Sequence, residues 1–177
     1  ENYGEAMRWY ERAAEAGDAK AQFYLGVLAE SGARGTSNSS LAAEWFRKAA
    51  EQGHARAQHN IGLMYEKGQG VARDAAQALK WYRKAADQGL ALAQYNLGVM
   101  YDNGEGVPAD AVAAYAWWSV AAAFGHDSGR ENRDRIKHSL IPSQLEKGKA
   151  MAREIHLRLQ SPGDNPAAPD ETVTSVS

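Results

Sequence analysis

Trp81-Tyr82-Arg83-Lys84-Ala85-Ala86-Asp87-Gln88-Gly89, followed by Ala91, Ala93-Gln94, Asn96-Leu97-Gly98, Met100-Tyr101 and Gly104-Glu105-Gly106-Val107, decides the fold. Much the same string begins thirty-six residues earlier at Trp45. Between 45–72 and 81–108, 17 of 28 positions are identical, where chance gives roughly 2 at average residue usage. Working outward, Trp9, Trp45, Trp81 and Trp117 keep one step. Gly17, Gly53, Gly89 and Gly125 keep it too, as do Ala13, Ala49, Ala85 and Ala121. A fixed period of this length is the mark of stacked structural repeats.

Each unit reads as two helices. Asn2, Asn38, Asp74 and Asp110 recur about seven residues before the Trp and are good N-caps. The helix from each of them runs to the next recurring Gly, which suits a left-handed terminal position. The second segment, Ala91 to Tyr101, carries Ala91, Gln94, Leu97, Gly98 and Tyr101 at helical spacing and closes at Gly104. Gly26, Gly62 and Gly98 fall inside this second helix, where each costs about 1 kcal/mol against Ala. Their recurrence predicts a tight contact with a neighbouring helix. An antiparallel helix pair repeated through short turns is an α-solenoid.

These residues resemble the Sel1-like repeat, a relative of the tetratricopeptide repeats with a slightly longer unit. The resemblance implies an all-α, right-handed superhelix. Its expected parts are a second helix at 1–17, repeats at 18–53, 54–89 and 90–125, a degenerate closing segment at 126–160 and a disordered tail at 161–177. In Ser31-Gly32-Ala33-Arg34-Gly35-Thr36-Ser37 the loop keeps its length but loses the Gly-x-Gly-Val pattern. In the fourth unit Gly129-Arg130 and Arg133-Asp134 replace the Ala-Gln and Leu-Gly pairs, which gives the last unit the polar outer face that a solenoid end needs. Ser143-Gln144-Leu145-Glu146 reads as a capping box. The helix it opens, about 144–160, places Leu145, Met151, Ile155 and Leu159 on one flank to close the core. Glu1-Asn2-Tyr3-Gly4-Glu5 holds neither an initiator Met nor a signal-peptide core, so a longer or processed protein with an upstream helix is expected.

Composition bounds the chemistry. The 177 residues carry 20 Lys and Arg against 22 Asp and Glu, a net charge of −2, which exerts no sequence-wide pull on nucleic acid or anionic membrane. There is no Cys, which removes disulfide scaffolds, thiolate metal sites and thiol nucleophiles. No apolar run approaches the ~18 residues of a membrane span, so a soluble chain is expected, in bacterial cytoplasm or periplasm.

The units serve as their own comparison for function: fixed positions hold the stack, and variable ones face solvent or a ligand. On the Ala-Gln-x-x-Leu-Gly helix the variable face holds Lys20, Phe23 and Val27, then Arg56, His59 and Leu63, then Leu92, Tyr95 and Val99. The tetratricopeptide resemblance places this helix on the concave surface, with Phe23, His59 and Tyr95 as a column of rings. Exposed rings with a polar rim suit peptide recognition, and packing between repeats is the competing use of the same rings. Glu30, Glu66 and Asp102 oppose the helix dipole at the other end and need compensation. The basic row Arg12, Lys48 and Lys84 has Glu15, Glu51 and Asp87 three residues on.

No catalytic motif is present. His54 and His59 are five apart, off the i,i+4 spacing of a metal pair, and neither a nucleophile elbow nor a phosphate loop occurs. Disulfide-rich Sel1-like proteins are linked to β-lactam binding or hydrolysis, and this chain lacks their cysteines. The reading is a non-catalytic protein- or peptide-binding adaptor without cofactor or metal, of the kind used in bacterial signalling, envelope assembly or secretion. A carbohydrate or cell-wall binding module, with the rings stacked on sugars, is the alternative.

Overall fold

A computed structural model describes residues 2–32 and 36–161. Among these the chain forms nine α-helices and no strand: α1 (Asn2–Glu15), α2 (Ala19–Ser31), α3 (Ser39–Glu51), α4 (Ala55–Lys67), α5 (Ala75–Ala86), α6 (Ala91–Asn103), α7 (Ala111–Ala123), α8 (Asp127–Lys137) and α9 (Pro142–Gln160). Each helix from α1 to α7 packs against the next in sequence, and α9 lies on α7. This is an α-solenoid. No helix among the described residues is long and apolar enough to cross a membrane. The expected tail beyond Ser161 and the altered loop at 33–35 lie outside the described residues.

The local signals act as read, with two shifts. Asn38, Asp74 and Asp110 accept hydrogen bonds from backbone N–H groups in the first turns of α3, α5 and α7. Asn2 is already the first helical residue of α1. At the other end of the pair, Gly104 closes α6 in the left-handed region at φ 70°. The second shift is in α9, which starts at Pro142 rather than after Ser143. Proline suits a first helical turn, whose N–H is unpaired in any case, and the Gln144 side chain accepts from the Ile141 N–H 3.1 Å away.

The interior glycines make notches. A Cβ on Gly98 would stand 2.4 Å from the Trp118 indole, one on Gly26 2.6 Å from the Phe46 ring, and one on Gly62 2.9 Å from Tyr82. In each case an aromatic ring of the following helix lies flush on the missing side chain. From Trp45 on, the repeat tryptophans lock the stack in the other direction, each entering the core of the preceding pair. Trp45 packs with Ala14, Ala21, Leu25 and Leu28, Trp81 with Phe46, Ile61 and Met64, and Trp117 with Tyr82, Leu97, Met100 and Ile155. Their exposure falls along the chain, from 68% at Trp9 through a half-buried Trp45 to 6% at Trp81 and nil at Trp117.

A line of amides ties the units together. Gln22, Gln58 and Gln94, all buried, donate to the carbonyls of Ala14, Ala50 and Ala86 at the end of the preceding helix. Gln52 and Gln88 then donate to the side-chain oxygens of Gln22 and Gln58 at 2.8 and 2.7 Å. At the far end Ile155, Met151 and Leu159 of α9 close the last core cluster, while Leu145 joins a second cluster around Trp118 and Ile136. Gly148 admits the Tyr115 ring as the other notches admit theirs.

Candidate binding face

The exposed stripe of α4 follows from helix geometry: Arg56, Asn60, Leu63 and Lys67, at i, i+4, i+7 and i+11, lie away from the packed side. On α6 the same stripe is Leu92, Asn96, Val99 and Asn103, and on α2 it is Lys20, Tyr24, Val27 and Ser31. Of the predicted residues, Lys20, Arg56 and Leu92 are exposed, and Phe23, Val27, Leu63, Tyr95 and Val99 are half-buried. His59 is buried, with 7% of its surface exposed, which corrects its expected place at the centre of an open face.

The rings do not form a free column. Phe23 stacks on His54 of the next unit, with centroids 4.5 Å apart, and Tyr95 stacks on His126 at the same distance. His59 instead meets Tyr82 at 5.5 Å, since Leu90 holds the position of His54 and His126. The ring position sits about 100° round the helix from the stripe's centre, on the flank that touches the following unit. The two stacked histidines also cap: Nδ1 of His54 accepts from the Ala57 N–H and Nδ1 of His126 from the Gly129 N–H. Burial, then the neighbouring Arg56 charge, lowers the His54 pKa.

The centre of the stripe is an asparagine. Asn60, Asn96 and Asn132 recur at the thirty-six-residue step, all half-buried, a recurrence legible in the sequence beside the ring column. His59 connects the first two. Its Nδ1 is 3.3 Å from Asn60 Oδ1, and its Nε2 is 3.1 Å from Asn96 Nδ2. Only the neutral tautomer with its proton on Nδ1 satisfies both contacts, and burial lowers the His59 pKa in keeping with that. The Tyr82 hydroxyl donates to Glu66 Oε2 at 2.5 Å. Burial foremost, and then Glu66, raises the Tyr82 pKa far above its ordinary value. Glu66 thereby gains the compensation that its place in the last turn requires, and Asp102 gains it from Arg135 at 3.3 Å.

The basic row is answered differently from expectation. Lys48 Nζ lies 4.3 Å from the centroid of the Trp45 ring, Lys84 4.7 Å from that of Trp81, and the Arg12 guanidinium 5.5 Å from that of Trp9. These are cation–π contacts at i,i+3, and Asp87 pairs instead with Arg158 of α9 at 2.8 Å. Among the described residues no group of three or more His, Asp and Glu gathers to hold a metal ion.

The Sel1 repeat pattern matches residues 1–18, 19–54, 55–90 and 91–126. The chain belongs to the Sel1 repeat family. Two solved Sel1 repeat structures are similar to it. One is c5321, a protective antigen present in uropathogenic Escherichia coli strains and displaying an SLR fold, with 37% identity and a TM-score of 0.77. That match covers 95% of this chain and 38% of the antigen, so the chain spans well under half the antigen's length. The other is a Sel1 repeat protein from Oxalobacter formigenes, also 37% identical, with a TM-score of 0.68, covering 73% of this chain and 98% of that one. No functionally curated protein matches the chain. Sel1 repeats serve in general as protein-interaction scaffolds, and their solenoids are typically non-catalytic.

Proposed function

We propose that this Sel1 repeat protein is a non-catalytic adaptor that holds a protein or peptide partner along the stripe of α2, α4 and α6, the concave surface by resemblance to tetratricopeptide folds. The observation that carries this reading is the line of half-buried amides, Asn60, Asn96 and Asn132, flanked by exposed Arg56 and Leu92 and half-buried Leu63 and Val99. An amide offers one donor group and one acceptor, as a peptide unit does, and an amide at this position in each unit from α4 to α8, with Tyr24 in its place on α2, suits a ligand that extends across several units. The rings that a sugar would stack on are each covered by an imidazole or by Tyr82, which weighs against the carbohydrate alternative.

The test begins with a pull-down on the intact protein and identification of what it retains by mass spectrometry, followed by calorimetry with that partner. Arg56→Ala with Leu92→Ala changes two exposed side chains and should leave stability within about 0.5 kcal/mol. Affinity should fall by about 2 kcal/mol or more if these are anchors. Lys48→Ala with Lys84→Ala, on the tryptophan row, should change affinity little. The reverse pattern would move the binding surface to that row.

A further inference from the structure

Three rows cross the α2–α4–α6 stripe, each about one helical turn from the next. The middle row is Tyr24, Asn60 and Asn96. On its N-terminal side lie Lys20, Arg56 and Leu92, all exposed, and on its C-terminal side Val27, Leu63 and Val99, all half-buried. One edge is therefore basic over α2 and α4, and the other is apolar throughout. Burial first, then Arg56 and more weakly Lys20, lower the His54 pKa, so both positive charges converge on one place and outweigh the opposing charge of Asp18. Among the described residues no acid pairs with Arg56. The acids on or beside these helices are engaged or remote: Asp18 caps α2, Glu66 accepts from Tyr82, Asp102 pairs with Arg135, and Glu30 stands at the opposite end of α2. His59 sets the direction of the two amides in the middle row. Its Nδ1–H holds the Asn60 oxygen and its Nε2 receives an N–H of Asn96. The Asn60 nitrogen is thereby turned outward to donate and the Asn96 oxygen to accept.

We propose, taking the stripe as the binding face, that its occupant is an extended acidic segment of a partner protein in which carboxylate side chains alternate with apolar ones. A donor at Asn60 and an acceptor at Asn96 suit the C=O and N–H of a main chain lying along the middle row. Those groups are open only in an extended segment, because a helix bonds them to itself. Successive side chains of such a segment point to opposite sides. One set lies over the basic edge, where the Arg56 guanidinium can take a carboxylate through two parallel hydrogen bonds. The other set lies over Val27, Leu63 and Val99 and loses water there. A lysine-bearing segment would bring like charge to Arg56. A segment with its acids and apolar residues in separate blocks would set half of each on the wrong edge.

The probe is acetyl-Glu-Val-Glu-Val-Glu-Val-amide, followed in ¹⁵N-labelled protein by NMR through the side-chain amides of Asn60 and Asn96. Saturable shifts at both are expected, with a dissociation constant of roughly millimolar or somewhat below for so short a ligand. Added salt should weaken binding several-fold, since the carboxylates meet an exposed charge. Acetyl-Lys-Val-Lys-Val-Lys-Val-amide should bind at least about tenfold more weakly, a gap of about 1.4 kcal/mol, and the blocked isomer acetyl-Glu-Glu-Glu-Val-Val-Val-amide several-fold more weakly. Arg56→Gln, on the exposed edge, should weaken the alternating glutamate probe several-fold. Asn60→Asp keeps the oxygen that His59 holds and exchanges the donor nitrogen for a charged oxygen, and should abolish binding. The proposal is overturned if the lysine or the blocked peptide matches the glutamate probe at the same amides, although the stripe then stands as a binding face. It is also overturned if the glutamate probe gives no saturable shift in the millimolar range, and shifts from the partner retained in the pull-down then decide whether the stripe falls with it. Saturable shifts from the glutamate probe confined to the Trp45 and Trp81 indoles would overturn both.

Discussion

The side-chain oxygen of Gln94 is buried and has no donor, because Phe124 occupies the repeat position from which Gln52 and Gln88 serve Gln22 and Gln58. The amide line therefore stops one unit short of the end of the stack. Phe124 is 41% exposed and rests against His156. Phe124→Gln should extend the line, since an unmet buried acceptor costs about 1–3 kcal/mol and little burial is lost with the ring. A gain of about 1 kcal/mol in denaturant melts is expected. A loss of similar size would mean that the Phe124–His156 contact matters more than the orphaned oxygen.

The notch glycines give a graded series. Gly98→Ala drives a methyl group into the Trp118 indole, and overpacking of this kind costs about 1–3 kcal/mol, more than the ~1 kcal/mol that Ala gains over Gly in a helix. Gly62→Ala meets only the edge of Tyr82 at 2.9 Å and should cost least. Melts of the two variants that come out equal, or in the opposite order, would show the rings to be free to move aside.

The tryptophans should likewise fall in order. Trp81→Ala should cost about 3–5 kcal/mol as a large core truncation. Trp45→Ala removes a half-buried ring and should cost roughly half as much, and Trp9→Ala should fall within the range of about 0.5 kcal/mol usual for surface changes. Equal losses at positions 45 and 81 would contradict the difference in their burial.

Acid should weaken the fold through two histidines. His54 and His59 have lowered pKa values when folded. Between those values and the ordinary ~6.5 the unfolded chain binds more protons, so stability rises with pH across that window and falls as the pH drops through it. Protonation also removes the acceptor by which His54 caps α4 and the one that receives Asn96. Melts at pH 7.5 and 5.5 should differ, and His59→Phe, a ring already used at position 23, should flatten the difference. A slope unchanged in that variant would assign the effect to other groups.

Most of the fold was legible because its signals are local and repeated: the caps at Asn38, Asp74 and Asp110, the terminal glycines, and the notches at 26, 62 and 98. What was not legible depends on how far each helix is rotated within the stack. A one-residue error turns a helix by about 100°, which is why the face centred on His59 proved to be centred on Asn60. The tryptophan spacing fixed their register but not their burial, which is set by what neighbouring helices lay over each ring. Arg83 lies over Trp117, whereas Glu11 and Ala29 hold the repeat positions of Arg83 and Tyr101 beside a half-exposed Trp45, a difference whose effect on burial depends on the packing around each ring.

The descending exposure of the four tryptophans has a mechanical side. A stack whose rings go from half-buried at Trp45 to sealed at Trp117 is a spring of uneven stiffness along that stretch. Pulled along its axis, the stretch from Trp45 to Trp117 should yield first around the half-buried Trp45 and hold longest where α9 is clasped to α7.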